Sequence, residues 1–405
     1  MTTALAPLTD TDVSTDWAYI NEGNAAAVFA YCGPHHERFD RTVLRLRKTS
    51  AGAHNHSQVD EQALATDEDE AEDPMLAFQH VAIEPLIPPE YRARIESVIL
   101  DPTWLASFAR VHEHNIRPGQ AIDARRSRAT LAENLIGFPW AVEIKPKWGF
   151  LPAASPSSVK SRTCRTCMHD HLRRVKKHEN VQTVPVEAEE GVDAYCPLDL
   201  FSGDADRLRM ALGALWERWI RGDGKENKLR MFIPWRMLLP TDTAAMQKWK
   251  ATCLNLPEDA DIARCREAFI ARLLPALQTT PVQPLLASLQ RRLDALGEPI
   301  STATSYPDAE PTLEEWAEFI GRLQRDEVRE EDAPLAYMLS ATFKDCSMII
   351  GLPEGEEPYI KLVDLDVKSV KKFAYWVKLD EEIVESYGHL SEAERRICVD
   401  ALLES

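Results

Sequence analysis

Strand-type patterning crowds into the first third of this chain and helix-type patterning into the rest. Segregation of that kind builds α+β folds, because a parallel sheet requires strands and helices in alternation. Trp17 to Tyr31 reads as a hairpin, with aromatic and β-branched positions on either side of the turn signal Asn21-Glu22-Gly23-Asn24. Val43 to Arg47 alternates as a third strand. Pro88-Pro89-Glu90 then opens a helix to about Phe108, with proline where a missing N–H costs little. At 405 residues the chain exceeds one compact core of ordinary size. It is expected to divide at a crossing over Glu133 to Trp140, into a small β-rich part (1–140) and a larger, mainly helical part (141–405).

In the larger part Val142 to Ile144 is a short strand. Ala205 to Ile220 carries helical apolar spacing at Leu208, Leu212, Leu215 and Trp219. Thr312 and Glu315 form a capping box. Cys346 to Ile350 and Tyr359 to Val363 read as paired strands, and Ser391 with Glu394 as the cap of a last helix.

A uniform field from the formal net charge of −18 would repel an anionic ligand. The charge is uneven. Ala51 to Pro74 holds eight acidic side chains and no Lys or Arg, which reads as a disordered insert over about 49–74. Lys160 to Lys177 holds seven Lys or Arg against the single Asp170. A local basic cluster on an acidic protein suits a confined anion site, whereas nucleic acid asks for a broader basic face.

Six of the eight cysteines have no close neighbour in sequence, which speaks against a secreted disulfide framework. No basic-then-apolar segment precedes Trp17 and no apolar run approaches the ~20 residues of a membrane span, so a soluble, intracellular protein is expected. Cys164 and Cys167 have the spacing of half a zinc site. No second pair with matching spacing follows, so the expectation is reduced, partly buried thiols, without zinc.

The turn Glu22 to Ala26 offers small residues past which backbone N–H groups can approach phosphate oxygens, although with one glycine it equally suits an ordinary hairpin. Arg45 adjoins it, as a phosphate partner or a solvent-facing arginine. In Glu143-Ile144-Lys145-Pro146-Lys147, strand alternation puts three charges on one face. Burying them is costly unless the lysines meet phosphates and the carboxylate a hydroxyl. Asp345 precedes one apolar strand, and Asp364 and Asp366 end the next. Carboxylates at neighbouring strand ends suit phosphoryl transfer, one accepting a proton and one holding magnesium, or else serve as caps. Lys368 and Lys372, one helical turn apart, would clamp a polyphosphate or stay solvated.

Several of these segments together resemble the inositol-pentakisphosphate 2-kinases. They are Glu143 to Pro152 with the motif Glu-X-Lys-Pro-Lys, Cys164 to His169, Pro197 to Gly203, Lys344 to Ser347 and Asp364 to Lys368. The resemblance implies an α+β, two-lobed inositol polyphosphate kinase fold distantly similar to protein kinases, with a small β-rich N-lobe and a larger, mainly helical C-lobe. It further implies an enzyme that uses ATP and Mg2+ to phosphorylate the axial 2-hydroxyl of inositol 1,3,4,5,6-pentakisphosphate, as a monomer in the nucleus or cytoplasm that needs neither membrane nor nucleic acid. The alternative is a non-catalytic inositide-binding or scaffolding protein.

Carried over motif by motif, Gly23, Asn24, Ala25 and Ala26 would cover the nucleotide phosphates, Arg45 would contact them, Glu133, Asn134 and Leu135 would form the adenine hinge, and Glu143 would meet the ribose. Asp345 would accept the proton, Lys145 would contact the transferring phosphate, and Asp364 with Asp366 would hold magnesium. The substrate's phosphates would fall to Arg117, Lys147, Arg173, Asn227, Lys228, Arg230, Lys368, Lys372 and Tyr375 or Trp376, with Arg125 or Arg126 as replacements for Arg117. Arg173 stands where the plant pattern has lysine. The zinc site of plant members, two histidines and two cysteines, is expected to be absent, since no histidine lies between His178 and His389.

Overall fold

The computed structural model describes residues 6–23, 26–50, 73–137, 139–152, 158–180, 194–234, 236–303 and 305–401. Asn24, Ala25 and the acidic stretch 51–72 lie outside them. β1 (Trp17–Glu22), β2 (Ala26–Tyr31) and β3 (Thr42–Ser50) form the expected antiparallel meander. The chain then leaves this sheet through α1 (Pro74–Phe78) and returns as β4 (Ile95–Ile99), α2 (Pro102–Val111), β5 (Gln120–Ile122) and β6 (Arg128–Glu133). Strand order is β1-β2-β3-β6-β4, with β5 paired to β3. Asp101 starts α2 by accepting from Trp104 N at 2.8 Å, with Pro102 in the first turn. The helix buries Trp104, Leu105 and Phe108 against the sheet, and Phe108 meets Phe29 edge-on with ring centroids 4.8 Å apart.

The helix expected over Pro88 to Phe108 forms only from Pro102 onward, as α2, and its first part is corrected. Pro89–Tyr91 makes one 3-10 turn, and the β-branched run after it pairs instead as β4, Ile95 opposite Ala132 and Ile99 opposite Arg128. Local helix signals lose there to a strand partner about 30 residues away, the usual way tertiary pairing overrides propensity.

The second sheet runs β11-β10-β7-β8-β9, antiparallel throughout. Its strands are β7 (Ala141–Ile144), β8 (Leu229–Ile233), β9 (Arg236–Leu238), β10 (Ser347–Gly351) and β11 (Tyr359–Val363). Around it stand α3 (Arg165–Asn180), α4 (Pro197–Leu200), α5 (Ala205–Arg221), α6 (Thr243–Cys253), α7 (Ile262–Thr279), α8 (Val282–Gly297), α9 (Leu313–Arg325), α10 (Ala333–Asp345) and α11 (Phe373–Gly388). The capping box of Thr312 and Glu315 opens α9 as expected. Ser391 and Glu394 do bond to each other, but they close a turn and no helix follows. Among the described residues no helix is long and apolar enough to cross a membrane.

Each sheet has its own core. Phe29, Leu44, Leu46, Phe108 and Leu131 belong to the first, and Trp140, Val142, Trp216, Trp249 and Phe343 to the second. Phe78, Ala82, Ile83 and Ile87 precede β4 in sequence yet pack in the second core, where Phe78 meets Trp316 with centroids 5.1 Å apart.

Candidate active site

β7 is the middle strand of the second sheet, so a charged residue on it must be satisfied from both neighbours. Glu143 is opposite Ile349 on β10 and Arg230 on β8, and it is buried. Ser347 Oγ donates to Glu143 Oε1 at 2.8 Å and lies 3.2 Å from Asp364 Oδ2. Arg230 Nη1 donates to Glu143 Oε2 at 3.4 Å. Lys145 Nζ donates to Asp364 Oδ2 at 3.1 Å. Pro146 then ends the ladder, and Lys147 takes a left-handed backbone, φ 66°, that turns its ammonium to Asp345 Oδ1, 2.9 Å away. Lys368 Nζ approaches the other oxygen of Asp345 at 3.4 Å. Asp364 is also left-handed, φ 58°. Two of the six left-handed non-glycine backbones among the described residues thus fall in this one cluster.

The cluster holds three carboxylates against three lysines and Arg230, a local excess of cations on an acidic chain. Burial pushes the Asp345 carboxyl up, but Lys147, Lys368 and Lys145 outweigh it and hold the group below the ordinary carboxylate range. Burial lowers Lys145, and Asp364, Asp345 and Glu143 more than restore it. Beside this cluster α3 offers Asp170, which receives Lys228 Nζ at 3.0 Å and Arg218 Nη1 at 2.8 Å. Arg173, exposed on the same helix, adds its charge nearby. Asn227, Lys372 and Tyr375 are exposed around the cluster's sequence neighbours without reaching it, and the Asp366 side chain likewise faces solvent.

On the first sheet Gly23, Ala26, Arg45, Arg126, Arg128 and Thr130 line a cavity of about 670 Å³. Gly23 N donates to Ala26 O at 2.9 Å to close the hairpin. Arg117 is drawn to this end, with Nε 2.9 Å from Glu22 Oε1, rather than to the lysine cluster. Glu133 ends β6, Asn134 accepts from Ile136 N at 3.2 Å, and the Leu135 carbonyl accepts from Tyr359 Oη at 3.2 Å. Leu135, Ala141 and Ile349 form an apolar patch with Tyr359 and Val363 where the segment after β6 meets the second sheet.

The profile of the inositol-pentakisphosphate 2-kinase family matches residues 19–382, a span that includes every residue of both charged groups. The chain belongs to the inositol-pentakisphosphate 2-kinase family. A relative of that name from Cryptococcus neoformans var. neoformans serotype D is 29% identical over 93% of this chain and 94% of its own. One from Arabidopsis thaliana is 24% identical over 94% and 95%, and one from Oryza sativa subsp. japonica is 26% identical over 62% and 61%.

In this 2-kinase, residues singled out from sequence at Glu143, Lys145, Lys147, Asp345, Asp364, Lys368 and Arg230 meet in one place, and the Lys228 carbonyl joins them by accepting from Lys145 N at 3.0 Å while its ammonium pairs with Asp170. Sequence reasoning missed Ser347, Asp170, Arg128 and Gln290. Asp170 carried a signal, as the lone acid in a basic run. Ser347 followed Asp345 by two positions, and Gln290 carried none. The reading of Cys164 and Cys167 as an unmatched half-site is corrected in space: Cys196 and Cys398 join them, with all four sulfurs within 4.8 Å of one another.

Proposed function

We propose that this chain transfers the γ-phosphoryl group of ATP to the axial 2-hydroxyl of inositol 1,3,4,5,6-pentakisphosphate, giving inositol hexakisphosphate and ADP. The observation that carries this reading is Asp345 held between Lys147 and Lys368 at the end of α10, with Asp364 at the end of the neighbouring strand pair, in a member of the 2-kinase family. We read the two sheets as the N- and C-lobes of a fold distantly similar to protein kinases, with the nucleotide between them.

Gly23 to Ala26 cover the nucleotide phosphates and Arg45, which lines the cavity, contacts them. Glu133 to Leu135 form the hinge beside the apolar patch, and Glu143 takes the ribose. Asp364 and Asp366 present hard carboxylate oxygens that fit magnesium. Held there, magnesium would supply Lewis-acid stabilisation of the charge on the nucleotide phosphates. Lys145 supports the phosphoryl group in transfer. Lys147, Arg173, Asn227, Lys228, Arg230, Lys368, Lys372 and Tyr375 receive the substrate's phosphates, with Arg117 from the nucleotide side.

Asp345 accepts the hydroxyl proton. Substrate phosphates compete for Lys147 and Lys368, so binding frees the carboxylate that those lysines occupy. A weak base suffices, because phosphoryl transfer passes through a loose transition state that asks little of the nucleophile's activation. Retention of both Asp345 and Asp364 favours an enzyme over a binding protein without turnover. Incubation with magnesium, ATP and inositol 1,3,4,5,6-pentakisphosphate, followed by anion-exchange separation, should yield hexakisphosphate. Absence of product with tight inositide binding retained would establish the non-catalytic alternative.

A further inference from the structure

Four thiols meet at one point well away in sequence from the kinase carboxylates. Cys164 and Cys167 bracket the start of α3, Cys196 directly precedes α4, and Cys398 comes from the segment after α11, 231 residues beyond Cys167. All four are buried, at 0, 8, 2 and 6% exposure. Sulfur–sulfur separations are 3.8 Å for Cys164 to Cys196, Cys196 to Cys398 and Cys398 to Cys167. Disulfides require about 2.05 Å, so these are free thiols gathered without bonding.

The spacing has a specific meaning. A tetrahedral zinc ion sits ~2.3 Å from each thiolate sulfur, which puts neighbouring sulfurs about 3.8 Å apart. An iron–sulfur cluster places inorganic sulfide and several metal atoms between its cysteines, and this gathering leaves no space for that. The frame around the sulfurs is fixed independently: Cys167 N points at Cys164 Sγ at 3.5 Å, and Cys398 N donates to Arg162 O at 2.8 Å. Thr163 Oγ1 donates to Arg396 O at 2.6 Å. The Arg396 guanidinium donates to Ala194 O and to Asp199 on either side of Cys196, which sets a positive charge beside the site.

We propose that Cys164, Cys167, Cys196 and Cys398 bind one structural zinc ion that ties the segment after α11 to the start of α3. On binding, four thiols release four protons to solvent and the centre carries two net negative charges, of which Arg396 offsets one. With four protein ligands the coordination sphere is complete, as in structural rather than catalytic zinc. The knot also braces the kinase cluster: Tyr195, next to Cys196, donates through Oη to Pro146 O at 2.9 Å, and Asp400 accepts from Leu151 N at 2.7 Å. The 2-kinase match ends at residue 382, before Cys398.

Full-length protein produced with zinc in the medium and then desalted should contain about one zinc per chain by plasma mass spectrometry. Cys398→Ser and Cys164→Ser should retain less than about a tenth of that, while Cys32→Ser and Cys253→Ser, outside the knot, retain all of it. Should the knot variants not fold, unmutated protein decides alone. An organomercurial should release its zinc to a metallochromic dye, and cobalt(II) in zinc's place should show thiolate charge-transfer and tetrahedral d–d bands. Folded unmutated protein with negligible zinc, iron in its place, or zinc that survives both knot substitutions would overturn the assignment.

Discussion

Gln290 donates from Nε2 to the carbonyl oxygen of Lys147 at 3.0 Å, across 143 residues of sequence. The same nitrogen donates to Phe343 O at 2.8 Å, while Oε1 accepts from Gly149 N at 2.8 Å. One fully buried amide on α8 therefore fixes the left-handed turn after β7 against the last turn of α10. It sets the distance between Lys147 and Asp345 without touching either side chain.

Gln290→Met keeps the side-chain volume and removes all three hydrogen bonds. We expect a loss of roughly 2 to 4 kcal/mol in stability, read from the denaturant midpoint. We also expect kcat to fall about tenfold or more with a smaller change in KM, because the defect is one of alignment. Unchanged kcat in the folded variant would show that Lys147 keeps its place unaided.

Asp345→Asn preserves shape but cannot accept a proton. Turnover should drop by about 10²- to 10⁴-fold, and ATP affinity, measured by calorimetry, should stay as it was. Near-normal turnover would remove Asp345 from the chemistry.

The pH profile should separate free from loaded enzyme. Lys147, Lys368 and Lys145 overcome burial and depress the Asp345 carboxyl in the free protein. Their stabilising contribution is thus present above the unfolded value near pH 3.9 and is lost as pH falls through the lower folded value. kcat/KM, which reports the free enzyme, should show no acid limb from this group above about pH 4. kcat should show its acid limb at higher pH, because bound phosphates draw the lysines away. Coincident limbs would refute the competition for Lys147 and Lys368.

Asp170→Asn leaves Lys228, whose side chain is 6% exposed, without its counter-charge. Such an uncompensated buried cation costs about 3 to 5 kcal/mol. The melting temperature should fall clearly and inositide affinity with it, while nucleotide affinity holds. An unshifted melting curve would mean that Lys228 escapes to solvent.

Local chemistry made part of this fold readable. The hairpin around Gly23, the capping box of Thr312 and the shared face of Glu143 and Lys145 are each written in neighbouring residues, so their geometry follows from turn, cap and alternation rules. What depends on distant partners was not readable. Ile95 to Ile99 leaves its helix-like setting for a strand supplied by β6, and Ser391 with Glu394 bond as a cap would but find no helix to start. Lys147 joins Asp345 through a backbone reversal that strand alternation does not describe. Cys164 and Cys167 gain their companions from positions that no spacing rule links.

The excursion of Phe78 to Ile87 into the second core means that the polypeptide passes between the two cores three times. A break near residue 140 would not release two self-sufficient halves. The first fragment would carry Phe78, Ala82, Ile83 and Ile87 as an orphaned greasy strip, and the second would have a matching hole against Trp316. Neither half can be exchanged between proteins as a cassette, and any rocking of one half on the other is hung on three cords instead of one.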